Sequence, residues 1–415
     1  MPKITSLIAH EILDSRANPT LEVEITLDNI KTVASVPSGA STGVHEAVEL
    51  RDGDKTRYNG KGVLKAINNV NEIIKAEIVG KEFTQSELDK FLIAMDGTSN
   101  KAKLGANAIL GVSMAFARAM AQVKGVDLYE YLGSLVDNKT FVLPQPMMNI
   151  INGGKHADSG LDIQEFMLAP VAFPNFHEKI RVGSEIIYTL KSILTERGDK
   201  VSVGDEGGFA PQLKSNEEAL DLLVQAITQA GYTTEQVKIG VDCAASNFYE
   251  DGKYKVKIAG EYQTMNSKEL VGWYKGLVKK YPIMLIEDGL AEDDWDGFVL
   301  MTKELGDKIK VVGDDLLVTN IERIKIAISK QAVNSVLIKL NQIGTVTETL
   351  EAIQLTKQQG WAPFVSHRSG ETTDTFIADL AVGLNCPLIK SGSLFRGERT
   401  AKYNRLMQIE DRLSK

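Results

Sequence analysis

Seven times along the chain a short apolar run stops at an ionisable or strongly polar group. The runs at 201–204, 237–241, 283–286, 309–313, 336–338, 361–365 and 387–389 lead to Asp205-Glu206, Asp242, Glu287, Asp314, Lys339, Ser366-His367-Arg368 and Lys390. A few consecutive apolar residues bounded by a polar break read as a strand buried on both faces, as in a parallel sheet. Most of these runs precede a helical pattern. After Lys339, for example, Thr345 and Glu348 form a capping signature ahead of Leu350 and Ile353. Strands alternating with helices imply a parallel sheet. Repeated over more than about 200 residues, they imply strands closed around one axis in a TIM-like β/α barrel, whose C-terminal strand ends share one mouth. Taken singly, Lys339 reads as a lysine snorkelling from a strand end, and any one acid as a cap or a surface ion pair. Recurrence is what directs all of them to one site.

The first third of the chain has a different pattern. Residues 21–27 alternate apolar and polar, Asp28-Asn29 marks a turn, and 31–36 reads as the return strand. The glycine- and serine-rich stretch 37–43 reads either as a mobile loop with exposed hydroxyls or as a plain connector. Helices follow. Val63, Ile67, Val70 and Ile74 keep one face, Thr84 to Glu87 is a capping box, and 104–122 is rich in small residues suited to close packing. The best boundary is Asp137 to Thr140. It divides the α/β chain into an α+β capping domain, 1–136, and a catalytic (β/α)8-type barrel, 141–415. A net charge of −8 argues against direct nucleic-acid binding. Two cysteines, no signal peptide and no apolar run long enough to span a membrane lead us to expect a cytoplasmic protein.

The residue types at the mouth suggest a chemistry. Asp242, Glu287 and Asp314 are oxygen-only ligands on successive strand ends, suited to a hard cation such as magnesium. A lysine beside such a cation and a second lysine, Lys390, is expected to have a lowered pKa, making Lys339 a usable base. A base next to a metal-bound carboxylate can take the proton α to it, through an enolate stabilised by positive charge. Asp205-Glu206 and Glu165 supply acids for a leaving group on the opposite side. Arg368 among hydroxyls is a natural phosphate clamp. His156 and His367, taken alone, read equally as hydrogen-bonding surface histidines.

The segments 14–20, 37–43, 204–211, 289–295, 335–345, 366–372 and 401–405 together resemble the enolase family in order and along essentially the whole chain. Pairing a lysine base with magnesium is that superfamily's established pattern. The resemblance implies a barrel with one early antiparallel strand and a reversible, magnesium-dependent dehydration of 2-phosphoglycerate to phosphoenolpyruvate. By matching motif, Lys339 would be the base and Glu206, with Glu165 beside it, the acid. Asp242, Glu287 and Asp314 would hold the first of two magnesium ions, and Ser41 would help hold the second. Arg368 and Ser369 would grip the phosphate, while His156, Gln164, His367 and Lys390 would line the pocket. A homodimer or a ring of dimers is implied. Ala17, Lys155, Asn247 and the segment 391–395 depart from the family's usual residues.

Two other readings stand beside this one. Another carboxylate-substrate lyase of the superfamily would share the metal acids without the phosphate clamp. A binding role would have the C-terminal Lys415 engage plasminogen at a cell surface or in a secreted pool, although Lys415 reads more simply as a solvated terminus. Arg399, Lys402 and Arg405 read as a solvated basic stripe on the last helix, favoured by the helix dipole.

Overall fold

The structure is a computed structural model. It describes residues 1–39, 43 and 45–415. At the N-terminus β1 (Ile4–Leu13), β2 (Pro19–Leu27) and β3 (Ile30–Ser35) form an antiparallel sheet in the order β1-β2-β3. The alternation in β2 turns Leu21, Val23, Ile25 and Leu27 to the core, where all four are fully buried. The helix Ala106–Val123 covers that face. Its small residues allow the close approach: a Cβ on Gly111 would come within 2.5 Å of Val23 Cγ2. The Thr84 capping box opens the helix Gln85–Asp96. The Val63, Val70 and Ile74 face is buried, although the helix passes through a π turn at Asn69–Ile74.

Eight strands then close a barrel. These are β4 (Gln145–Asn152), β5 (Glu165–Pro170), β6 (Val237–Asp242), β10 (Ile283–Glu287), β11 (Lys310–Gly313), β12 (Ser335–Ile338), β13 (Ala362–Ser366) and β14 (Leu388–Lys390). β5 pairs antiparallel with both β4 and β6, and the remaining barrel pairs are parallel. Met147, Met167, Leu285, Val312, Leu337 and Phe364 fill the inside of the ring, separate from the larger core between strands and helices. Between β6 and β10 the strands β7 (Tyr249–Glu250), β8 (Lys253–Ile258) and β9 (Glu261–Met265) form a small sheet, with the Asp251-Gly252 turn at positive φ.

One expected strand is not a barrel strand. The run 201–203 makes only a single bridge, Val203 to Phe209, and Val203 is 41% exposed. It lies between the helices Phe176–Glu196 and Asn216–Gln229, where glycines 204, 207 and 208 turn the chain back on itself. Three residues ahead of a glycine turn have too little apolar surface to claim a place in the ring.

Two substitutions test this packing. Gly111→Val should overpack the β2 contact and lower stability by about 1–3 kcal/mol, read from urea unfolding. Ala17 is exposed and held at φ 57, in the left-handed region that costs an L residue roughly 1–2 kcal/mol. Ala17→Gly should therefore raise stability by about 0.5–1 kcal/mol, since relief of strain exceeds the added freedom of the unfolded chain.

Candidate active site

Register decides which side chains share the mouth. Glu165 pairs with Asp242 across β5 and β6, and Asp242 with Glu287 across β6 and β10, so three carboxyls stand in one row. Glu165 is the first residue of β5, and only the reversal of that strand brings a leading residue to the rim where its neighbours end. Asp314 follows β11 directly and Lys339 follows β12, while Lys390 ends β14 opposite Ser366 of β13. In the ring β12 lies four strands from β5 in either direction, so Lys339 and Glu165 are set across the mouth from each other.

Glu206 comes from the turn between the two helices. Asn149 Nδ2 donates to its Oε2 at 3.1 Å, His367 Nε2 lies 3.5 Å away, and His156 Nδ1 is 3.7 Å from both Glu206 and Glu165. Asp205, the other acid of that doublet, is exposed and does not line the cleft. Gln164 donates to Asp242 at 3.4 Å, and Ser369 Oγ lies 3.4 Å from His156 Nε2. The cleft thus gathers His156, Gln164, Glu165, Glu206, Asp242, Asp314, Lys339, His367, Arg368, Ser369 and Lys390, with Glu287 fully buried beneath Lys390. Ser41 lies outside the described residues. Asn247 lines the cleft, whereas Lys155 is exposed and does not.

The charges are interleaved. Lys390 Nζ is 2.8 Å from Glu287 and 3.5 Å from both Glu165 and Asp242. Burial opposes its charge, but these carboxylates outweigh burial and hold Lys390 well above its ordinary range. Lys339 pairs with Asp314. The lowering expected of Lys339 beside a bound cation is not what its protein neighbours alone give. Burial and the cations Arg368 and Lys390 do act that way, but the Asp314 carboxylate in direct contact holds it raised. The two glutamates divide. Burial and the adjacent Glu206 push Glu165 well above its usual range. Burial would raise Glu206 too, but His156, His367, Arg399 and Lys390 together hold it well below. The two carboxyls titrate as a pair, Glu165 displaced upward and Glu206 downward.

Three acids were not singled out from the sequence. Asp288 accepts the backbone N–H groups of Asp314 and Asp315, each at 2.8 Å. Asp315 lines the cleft, and Glu46 binds both terminal nitrogens of Arg368, at 3.0 and 3.2 Å. The doublets Glu287-Asp288 and Asp314-Asp315 were the available signal for the first two. Glu46 carried none, because its partner lies 322 positions away.

The donor set fits a hard divalent cation. Burial, with neighbouring acids, pushes Glu287 up to about 8 and Asp315 to about 7, as expected of carboxyls short of positive charge. Glu287 Oε2 is buried without a hydrogen-bond partner among the described residues. Among the described residues, one oxygen from each of Asp288, Asp314 and Asp315 lies within 4.8 Å of the others, as do single ligand atoms of His156, Glu165 and Glu206, while Asp242 and Glu287 are drawn onto Lys390.

The last helix, Gly397–Leu413, corrects one expectation. Arg399 and Lys402 are 0% and 1% exposed, so they form no solvated stripe. Lys402 pairs with Glu371 at 2.7 Å, and Arg405 with Asp379. Helical spacing shows that such residues share a face but not whether that face meets water or partners.

Fold and site together define an α/β-barrel lyase with a mouth of buried acids and lysines. Two family models agree with this and between them cover nearly all of the chain. "Enolase, N-terminal domain" matches residues 4–132, and "Enolase, C-terminal TIM barrel domain" matches residues 140–415. The chain belongs to the enolase family.

Removing the central cation should expose how much the mouth depends on it. Lys390→Met leaves Glu287 and its neighbours unpaired and should cost about 3–5 kcal/mol in urea unfolding. Lys390→Arg, which keeps the charge, should lose less.

Proposed function

We propose that this protein catalyses the reversible, magnesium-dependent dehydration of 2-phosphoglycerate to phosphoenolpyruvate. The observation that carries the reading is the opposition across the mouth of Lys339, after β12, and Glu165, on β5 half a ring away, with Glu206 in the cleft beside Glu165. An elimination with base and acid on opposite faces of the substrate needs that arrangement. Lys339 takes the proton from C2. The Glu165–Glu206 pair gives a proton to the departing C3 hydroxyl, which leaves as water. Arg368 and Ser369 bind the phosphate, and His156, Gln164, His367 and Lys390 orient the rest of the substrate. Magnesium held by Asp242, Glu287 and Asp314, with a second ion near Ser41, would supply the positive charge that stabilises the dianionic enolate and offsets the hold of Asp314 on Lys339. The reading carries with it a cytoplasmic setting and a homodimer or ring of dimers.

The test is the rise in absorbance from phosphoenolpyruvate when purified protein receives 2-phosphoglycerate and magnesium. Chelation with EDTA should abolish it. Lys339→Ala should lower kcat by about 10²- to 10⁴-fold, and Glu165→Gln should fall in the same range. A folded, magnesium-loaded wild type that forms no phosphoenolpyruvate would overturn the proposal.

A further inference from the structure

Arg399 is fully buried, yet it is not paired to an acid in the ordinary way. Its nearest carboxylate contact is Nε to Glu398 Oε1, at 3.5 Å. Its terminal nitrogens are used on loops of the mouth. Nη1 donates to the Arg368 carbonyl at 2.7 Å and lies 2.6 Å from His367 Nδ1. Nη2 donates to the carbonyls of Ser369 at 2.6 Å and Asp205 at 3.1 Å. One side chain thus joins the loop after β13 to the turn that carries Glu206.

The chemistry of the contact with His367 has one solution. A guanidinium has only donors, and it does not lose its proton in proteins. The ring nitrogen it meets must therefore be the acceptor, which leaves Nδ1 bare. A neutral imidazole then carries its proton on Nε2, the nitrogen 3.5 Å from Glu206 Oε2. The backbone around Arg399 is fitted to it as well: a Cβ on Gly392 would lie 3.0 Å from Arg399 Cδ.

We infer that Arg399 is a positioning residue that locks His367 in the Nε2–H tautomer, so that the imidazole presents a donor to Glu206. Glu206 then accepts from Asn149 on one side and faces the His367 N–H on the other. The tautomer follows from this geometry alone, whereas its use in proton transfer rests on the reaction proposed above.

The experiment is nitrogen NMR of full-length protein labelled at its five histidines, with His367 assigned by the signal missing from His367→Gln. The expected His367 pattern is a pyrrole-like Nε2 and a pyridine-like Nδ1. In Arg399→Gln, whose amide can accept as well as donate, the single tautomer should give way to a mixture. In the dehydration assay kcat should fall about tenfold or more with KM changed less than threefold. A protonated Nδ1 in the wild type would overturn the inference even if no Arg399 variant folds. So would an Arg399→Gln protein with unchanged tautomer and kcat. Loss of all activity in the wild type with the Nε2–H pattern intact would instead refute the reaction and leave the tautomer standing.

Discussion

A carboxylate taken out of water costs several kcal/mol unless a counter-charge and hydrogen bonds meet it. The mouth of this barrel buries a row of them. Glu165, Asp242 and Glu287 are at most 4% exposed, and Lys390 reaches all three. One ammonium cannot neutralise three acids, which is why burial and mutual repulsion leave Glu165 and Glu287 with raised affinity for protons. The rest of the molecule is arranged around this imbalance. Parallel strands aim the acids at one point, the interior side chains keep water out from below, and the polar loops above supply Arg368 and the histidines.

The same scarcity of positive charge separates the roles of similar residues. Glu165 and Glu206 share His156 at 3.7 Å, but Glu206 also has His367 and Arg399 near it, whereas Glu165 has Lys390 at 3.5 Å against the repulsion of Glu206 and Asp242. Lys339 and Lys390 are both buried strand-end lysines, but one meets a single aspartate and the other a cluster. Identity of side chain therefore says less about behaviour here than the count of charges within a few ångströms.

This explains what could be read from the sequence. The barrel was legible because buried strands must be apolar and must end somewhere polar, and β6, β10, β11, β12, β13 and β14 follow that rule closely. The run at 201–203 mimicked it, and only the glycines after it betrayed a turn. Asp242, Glu287, Asp314, Lys339 and Lys390 were legible for the same reason as the strands, whereas the places of His156, Gln164 and Ser369 came from the resemblance alone. The state of Lys339 was not legible, because it depends on the distance to Asp314, which no pattern encodes. Glu46, Arg399 and Lys402 were misjudged or missed because their partners are distant in sequence. A buried arginine and an exposed one occupy the same position on a helical wheel.

The reversal of β5 has a consequence for parity. In a regular barrel each strand rises, its helix descends, and the next strand rises again. After β5 descends, the chain already stands at the end where β6 begins, with Pro170 paired to Val237, so whatever is inserted between them must cross the barrel's height an even number of times. The helix Phe176–Glu196 climbs, the turn with Glu206 caps it, and the helix Asn216–Gln229 returns. The inversion that places Glu165 at the rim thus leaves room for one up-and-down excursion beside it, and Glu206 occupies the summit of that excursion. The acid pair therefore joins one residue of a reversed strand to one of an inserted turn.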